Sequence, residues 1–177
     1  MTAKTFLIDD VPGFTPQIGR LVGMMKYVRA TTLQAVRGMT QEQLDYVQDA
    51  QSNSIGALLA HVAAVEVAYQ VITFENRELN DGENAEWGTA LDLGEAARRE
   101  IKGRSLEHYT NTLEEVRART FDEFARRNDD WLYKQAPWGP GVANNYFMWF
   151  HVFEDELSHR GQIRWLRKRL TNQSSNR

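Results

Sequence analysis

The chain has no cysteine, and this absence removes more chemistry than any other feature of its 177 residues. Without a thiol there is no cysteine nucleophile, iron–sulfur cluster, thiolate zinc site or disulfide scaffold. Any bound metal must be held by imidazole, carboxylate or backbone oxygen. An excess of one charge is also missing: 21 Lys and Arg stand against 24 Asp and Glu, a formal net charge of −3. That balance gives no basic footprint for nucleic acid or an anionic membrane. Met1 to Pro16 lacks the basic start, apolar run and small-residue cleavage site of a leader. The longest apolar stretch, Ile55 to Ile72, is interrupted by His61, Glu66 and Gln70, so it reads as a buried core helix rather than a membrane span. The expectation is a soluble, cytoplasmic protein without a nucleic-acid or membrane partner. No segment reads as a strand, and there is no internal repeat or low-complexity run.

What is present suits one domain over residues 1–177. Hydrophobic residues make up 42% of the chain, with eight Phe, six Tyr and five Trp, enough to build a core without covalent staples. Four segments carry a helical period, at about 15–37, 54–76, 105–127 and 144–170. The first opens on Thr15-Pro16, a capping residue followed by Pro at the first helical position, and repeats Ile18, Leu21, Met25, Val28 and Val36. The second is apolar nearly all round (Leu58, Leu59, Val62, Val65, Ile72) and should be the most enclosed. The third presents Leu106, Tyr109, Leu113, Val116 and Phe124 on one face, with Glu114, Glu115, Arg117 and Arg119 expected in solvent. The fourth ends in a polar tail, Thr171 to Arg177, expected to fray. The connection Arg77 to Arg104, with a short helix expected at Gly94–Lys102, is long enough to return the full length of a helix. The predicted fold is therefore all-α: a four-helix bundle, up-down-down-up, with a long crossover between helices 2 and 3.

The four histidines are the scarce resource. At about 100° per residue, Met148, Val152, Asp155, Ile163, Leu166 and Leu170 all fall within roughly 40° of His159 on the last helix. Asp155 and His159 are the polar members of an otherwise apolar, inward stripe. Burying a carboxylate without a partner is costly, so something must meet them. The candidates are a metal ion, a salt-bridge partner, or each other, since i,i+4 residues share a helix face. The same spacing lets two side chains chelate one ion, as in metalloprotease His pairs. His61, midway along the most buried helix and flanked by Ala57, Ala64 and Ala68, is the natural third donor. Two His and one Asp would suit zinc, nickel, iron or manganese.

The run His151-Val-Phe-Glu-Asp-Glu-Leu-Ser-His159-Arg-Gly-Gln-Ile163 resembles the last-helix signature of the DinB/YfiT-like family, and Ser54-Ile-Gly-Ala-Leu-Leu-Ala-His61 resembles its second-helix motif. Tyr27-Val-Arg29, Leu91-Asp-Leu-Gly94 and Ser105-Leu-Glu107 are supporting matches. The resemblance implies an up-down-down-up bundle, often a homodimer, with a divalent metal on three inward side chains. Its ligand positions fall on His61, Asp155 and His159, with zinc or nickel foremost among the metals. Asp155 is a departure, since most members carry His there. The related mycothiol-dependent maleylpyruvate isomerases place Glu with two His.

Other residues have lesser roles. His151, about 80° round from His159, is a reserve ligand or an outer donor. Arg160 and Gln162 flank His159, and Gly161 would permit close helix approach. Glu66 is a partner for an inward Arg such as Arg29, and His108 should be exposed. The aromatic group Trp138, Tyr146, Phe147, Trp149, Phe150 and Phe153 is expected in the core or at a dimer interface, with a substrate wall as the minor alternative.

Two functions follow. The first is a metal-dependent transferase or isomerase acting on small electrophiles with a low-molecular-weight thiol, whose sulfur must be supplied by the cosubstrate. Glu66 and Glu156 are the weak candidates for its general base. The alternative is a stress-associated, non-enzymatic dimeric bundle whose Asp–His pair is structural. A di-iron site is excluded, because Glu156-x-x-His159 has no second copy.

Overall fold

A computed structural model describes residues 6–174, with side chains through residue 170. The described chain is mostly helical: α1 (Pro16–Val36), α2 (Gln41–Asp45), α3 (Ile55–Gln70), α4 (Asp81–Asp92), α5 (Gly94–Glu100), α6 (Leu106–Ala125), α7 (Asp129–Leu132) and α8 (Asn145–Ser174). A π-helical turn, Val71–Glu75, continues α3. The segment Ile55–Glu75 is long and apolar enough to cross a membrane, yet 89% of its apolar 18-residue stretch is buried inside the protein. α6, α8 and α4 pack against it.

Side-chain caps set most helix starts. Ser54 accepts from the Ala57 amide and Ser105 from the His108 amide, so α3 and α6 begin where expected. The start of α1 is satisfied differently. Thr15 makes no cap of its own; instead Asp129 accepts from the Thr15 hydroxyl at 2.5 Å and from the amides of Gln17 and Ile18 at 3.1 and 3.2 Å. A carboxylate from α7 thus closes the positive end of α1.

The structure corrects several expectations. The crossover holds α4 as well as the anticipated α5, and α2 lies between α1 and α3. A hairpin, β1 (Gln135–Trp138) and β2 (Gly141–Asn144), stands where no strand was expected; it pairs antiparallel, with Trp138 opposite Gly141. The last helix continues through Ser174 instead of fraying from Thr171, and the tail residues 175–177 lie outside the described residues.

α1 packs on α8, and α3 packs on both α6 and α8. Gly56 is what lets α3 approach α6: a Cβ there would lie 2.6 Å from the Tyr109 hydroxyl. The apolar core falls into two clusters. One gathers Leu58, Leu59, Val62, Leu113, Ile163 and Leu166; the other gathers Ile18, Leu21, Met25, Phe124, Trp131 and Trp149. Along α1, α6 and α8 the change from one cluster to the other occurs around Arg29, Arg117 and Glu156, all buried.

Candidate metal centre

His61 on α3 and Asp155 and His159 on α8 converge. Each offers a ligand atom, and these atoms all lie within 4.8 Å of one another. His61 Nε2 stands 3.6 Å from Asp155 Oδ2, and His159 Nε2 stands 3.4 Å from Asp155 Oδ1. The three side chains are only 12–18% exposed. Direct charged hydrogen bonds draw in to about 2.7–2.9 Å, so these separations are loose for a mutual ion pair. They match two donors sharing one ion: at about 2.1 Å each and a tetrahedral angle, donors lie roughly 3.4 Å apart.

Two buried atoms of the group, Asp155 Oδ2 and His159 Nδ1, have no hydrogen-bond partner. Buried polar atoms are seldom left so. His61 is different. Its Nδ1 lies 2.9 Å from the Ala90 carbonyl oxygen. A carbonyl only accepts, so Nδ1 carries the proton and, in the neutral ring, Nε2 presents its lone pair to the centre. The Ala90 carbonyl is placed by the junction of α4 and α5, where Leu93 and Gly94 both take positive φ, 56° and 69°. Asn53, just before α3, accepts from the Gly94 amide at 3.2 Å and ties that junction to the helix bearing His61. The Leu91–Gly94 motif therefore acts on the site through the backbone.

The electrostatics reinforce the grouping. Burial works to raise the Asp155 pKa, but the His159 and His61 imidazoles beside it outweigh this and hold the carboxyl below the usual range. Burial works to lower the His61 pKa, and the neighbouring Asp155 carboxylate and the Ala90 carbonyl reverse this, leaving it raised.

The chain belongs to the mycothiol-S-transferase family. That family's model matches residues 20–172, which include all three converging side chains. Solved structures show the same fold at low identity. A conserved protein from Enterococcus faecalis is 15% identical with a TM-score of 0.65, over 84% of this chain and 93% of that one. An uncharacterised protein from Clostridium difficile 630 is 13% identical with a TM-score of 0.67, over 85% and 95%. One from Escherichia coli UTI89 is 15% identical with a TM-score of 0.62, over 89% and 96%. No curated protein matches.

The remaining candidates lie elsewhere. His151 falls outside the converging group; its Nδ1 is 2.9 Å from Glu154, and its ring meets Tyr69 and Trp138. His108 is exposed, as expected. Gly161 does not serve close helix approach, because a Cβ there would meet nothing within 4 Å. Arg160 bonds the Thr31 hydroxyl on α1 and leaves His159 alone. The aromatic group divides: Trp149 and Phe153 are buried in the core, while Trp138, Phe147 and Phe150 are 36–45% exposed.

Arg117 is the largest surprise. Expected in solvent, it is buried, with Nε 2.7 Å from Glu66 and Nη2 3.1 Å from Glu156. Arg29 pairs with the same two carboxylates at 3.2 and 3.0 Å, so its expected pairing with Glu66 is part of a four-residue network. Glu66 also accepts from Thr120 at 2.6 Å. Tyr69 was missed as well. It sits two turns beyond His61 on α3, and its hydroxyl accepts from Trp138 Nε1 at 3.1 Å. The His61-to-Tyr69 spacing, which places the two within about 80° on one helix, was the available signal.

Proposed function

We propose that this protein is a divalent-metal-dependent thiol S-transferase or isomerase acting on small electrophiles, with the metal on His61, Asp155 and His159. The observation that carries the proposal is the convergence of three donor side chains, two of which, Asp155 and His159, each carry a buried, unpartnered atom. The donor set, two neutral imidazoles and a carboxylate, suits zinc or nickel first and iron or manganese next. When bound, the ion would lower the pKa of a thiol or water at its open position and so supply a nucleophile near neutral pH. With no cysteine in the chain, the sulfur must arrive on the cosubstrate.

The protein's own groups have distinct parts. Ala90 fixes the His61 tautomer, and Asp155 supplies the negative charge that offsets a cation. Glu66 and Glu156 are poor general bases on physical grounds, since each is held by two guanidiniums. The non-enzymatic reading, with a structural Asp–His pair, is weakened by the 3.4 and 3.6 Å separations and the orphaned atoms.

In the same reading residues 1–177 form one up-down-down-up four-helix bundle. Arg29, Thr31 and Ala35 meet Glu156, Arg160 and Arg167 in matching order, which supports α1 and α8 running the same way. His61 and Thr73 meet Asp155 and Trp149 in reversed order, which supports α3 running against α8. We read the protein as a cytoplasmic homodimer, with the exposed Phe147 and Phe150 available to a second copy. The test of function is a transfer assay using chelator-stripped and zinc-reloaded protein, a small haloalkyl electrophile, and mycothiol, bacillithiol or glutathione. Metal-dependent consumption of one thiol is the expected result; no turnover with any thiol in either state would overturn it.

A further inference from the structure

A cavity of about 570 Å³ lies between α3, α4 and α6, with the segment that follows α5 contributing Ile101 and Arg104. His61, Asp155 and His159 are absent from its lining, so it is a space apart from the candidate metal centre. Its two ends follow from the helix directions. Asn53 and His61 meet Gly94 and Ala90 in reversed order, so α4 runs against α3. Gly56 and Gln70 meet Tyr109 and Val116 in matching order, so α6 runs with α3. Of the residues lining the cavity, Glu86 is among the first on α4 and Glu115 among the last on α6. These two carboxylates therefore share one end, and Arg104, just before α6, stands at the other.

The charges at the two ends are unspent. Arg104 is the one Arg or Lys in the lining, and neither it nor Glu86 or Glu115 makes an ion pair or side-chain hydrogen bond among the described residues. Glu100, the third lining carboxylate, is held by Arg99 at 2.7 Å. Arg104 also stands at the positive end of α6, which favours an anion there. Between the ends, Ala60, Trp87 and Ile101 pack against the core while only partly buried, so the middle of the cavity keeps apolar surface. His108, Thr112 and Glu115 lie within about 60° on α6. His108 and Glu115 are about 10 Å apart along its axis.

Opposite charges that line one space without meeting can both be paired by a ligand that carries a charge at each end. A guanidinium matches a carboxylate, two carboxylates call for an ammonium group, and the apolar middle suits an apolar body. An anion rich in phosphate would be repelled by Glu86 and Glu115, and a plain fatty acid or amine would satisfy one end only. We propose that this cavity binds an elongated zwitterion, with its carboxylate on Arg104, its ammonium group at Glu86 and Glu115, and its apolar body against Ala60, Trp87 and Ile101. A short apolar peptide with free termini has this form, since three extended residues span at most about 10 Å. An ω-amino acid of similar length shares the chemistry. The inference stands apart from the thiol-transfer reading.

The test titrates the full-length protein, by calorimetry, with trileucine and with 8-aminooctanoate. Each is compared with forms that lack one charge: acetyl-trileucine and trileucine amide for the first, octanoate and octylamine for the second. The zwitterion that binds more tightly identifies the source, and it is expected to bind at least tenfold more tightly than its own one-charge forms. Arg104→Gln should weaken that zwitterion at least fivefold and leave the form without a carboxylate unchanged. Glu86→Gln combined with Glu115→Gln should weaken it likewise and leave the form without an ammonium group unchanged. All three residues are exposed, so these variants test charge and leave the fold alone. Equal affinity for a zwitterion and its one-charge forms, no saturable binding of either zwitterion, or wild-type affinity in both variants would overturn the proposal.

Discussion

Two polar clusters lie side by side in this core, and they are built on opposite terms. Arg29, Glu66, Arg117 and Glu156 form a closed network: both carboxylates are fully buried, the guanidiniums are 7–9% exposed, and the remaining donors reach the Leu113 and Met25 carbonyls. Among the described residues none of its side-chain atoms is both buried and unpartnered. His61 lies more than one turn before Glu66 on α3, and Asp155 and His159 flank Glu156 on α8, with long separations and two orphaned atoms. A saturated network has nothing left to offer a ligand, so its work is to hold four helices in register. An incomplete one has spare valence. The difference separates a scaffold from a candidate site.

The largest effect should come from breaking the scaffold. Arg117→Met leaves two buried carboxylates sharing one guanidinium and should cost about 3–5 kcal/mol in urea unfolding. Replacing all four residues with apolar ones of similar volume should cost much less. If Arg117→Met costs under about 1 kcal/mol, the contrast between the clusters fails.

The site should respond to ligand instead. Zinc at a hundredfold over its Kd should stabilise the wild type by about 2.7 kcal/mol. His61→Ala should lose most of that gain, as read by thermal melts with and without metal.

A smaller effect distinguishes the clusters by pH in metal-free protein. The lowered Asp155 pKa gives stability that is present above its unfolded value, about 4, and is lost as pH falls through the depressed folded value. The raised His61 pKa gives stability that is present below about 6.5 and is lost as pH rises through the raised folded value. The triad should therefore stabilise most between about pH 4 and 6.5 and produce a weak alkaline decline. In the network, burial raises the Glu66 pKa but Arg117 and Arg29 more than reverse this, so its contribution declines only in acid. His61→Ala should abolish the alkaline limb of the stability profile and leave the contribution of Glu66. The smallest change, Gly161→Ala, relieves a helix-interior glycine in open space and should raise stability by up to about 1 kcal/mol. A loss of stability there would show contacts that the fold does not contain.

The triad was legible because an inward stripe with two polar members is a one-helix pattern, and His61 is conspicuous on the most apolar helix. The network was only partly so. Glu156 sits about 60° from His159, outside the window drawn around the stripe, and Arg117 lies in a run of charges that looks solvated until Glu66 and Glu156 are seen facing it. Such partners belong to different helices, and no single-helix period reveals them. α4 escaped notice because only Ala90 is buried on it, yet Asn80 and Glu83 form a capping box that announces its start, as Thr40 and Gln43 do for α2. The hairpin has two four-residue strands, one containing Pro137, too short to show alternation. Asp129 as the cap of α1 is a tertiary contact with no local signature.

The most direct test of the central claim is metal content. Protein purified without an immobilised-metal column, in wild-type and His61→Ala forms, is analysed for bound metal by mass spectrometry after gel filtration. Near one divalent ion per chain in the wild type, and almost none in His61→Ala of unchanged fold, is the predicted result. Fully stable wild-type protein without metal, and with no uptake on adding zinc or nickel, would contradict the account.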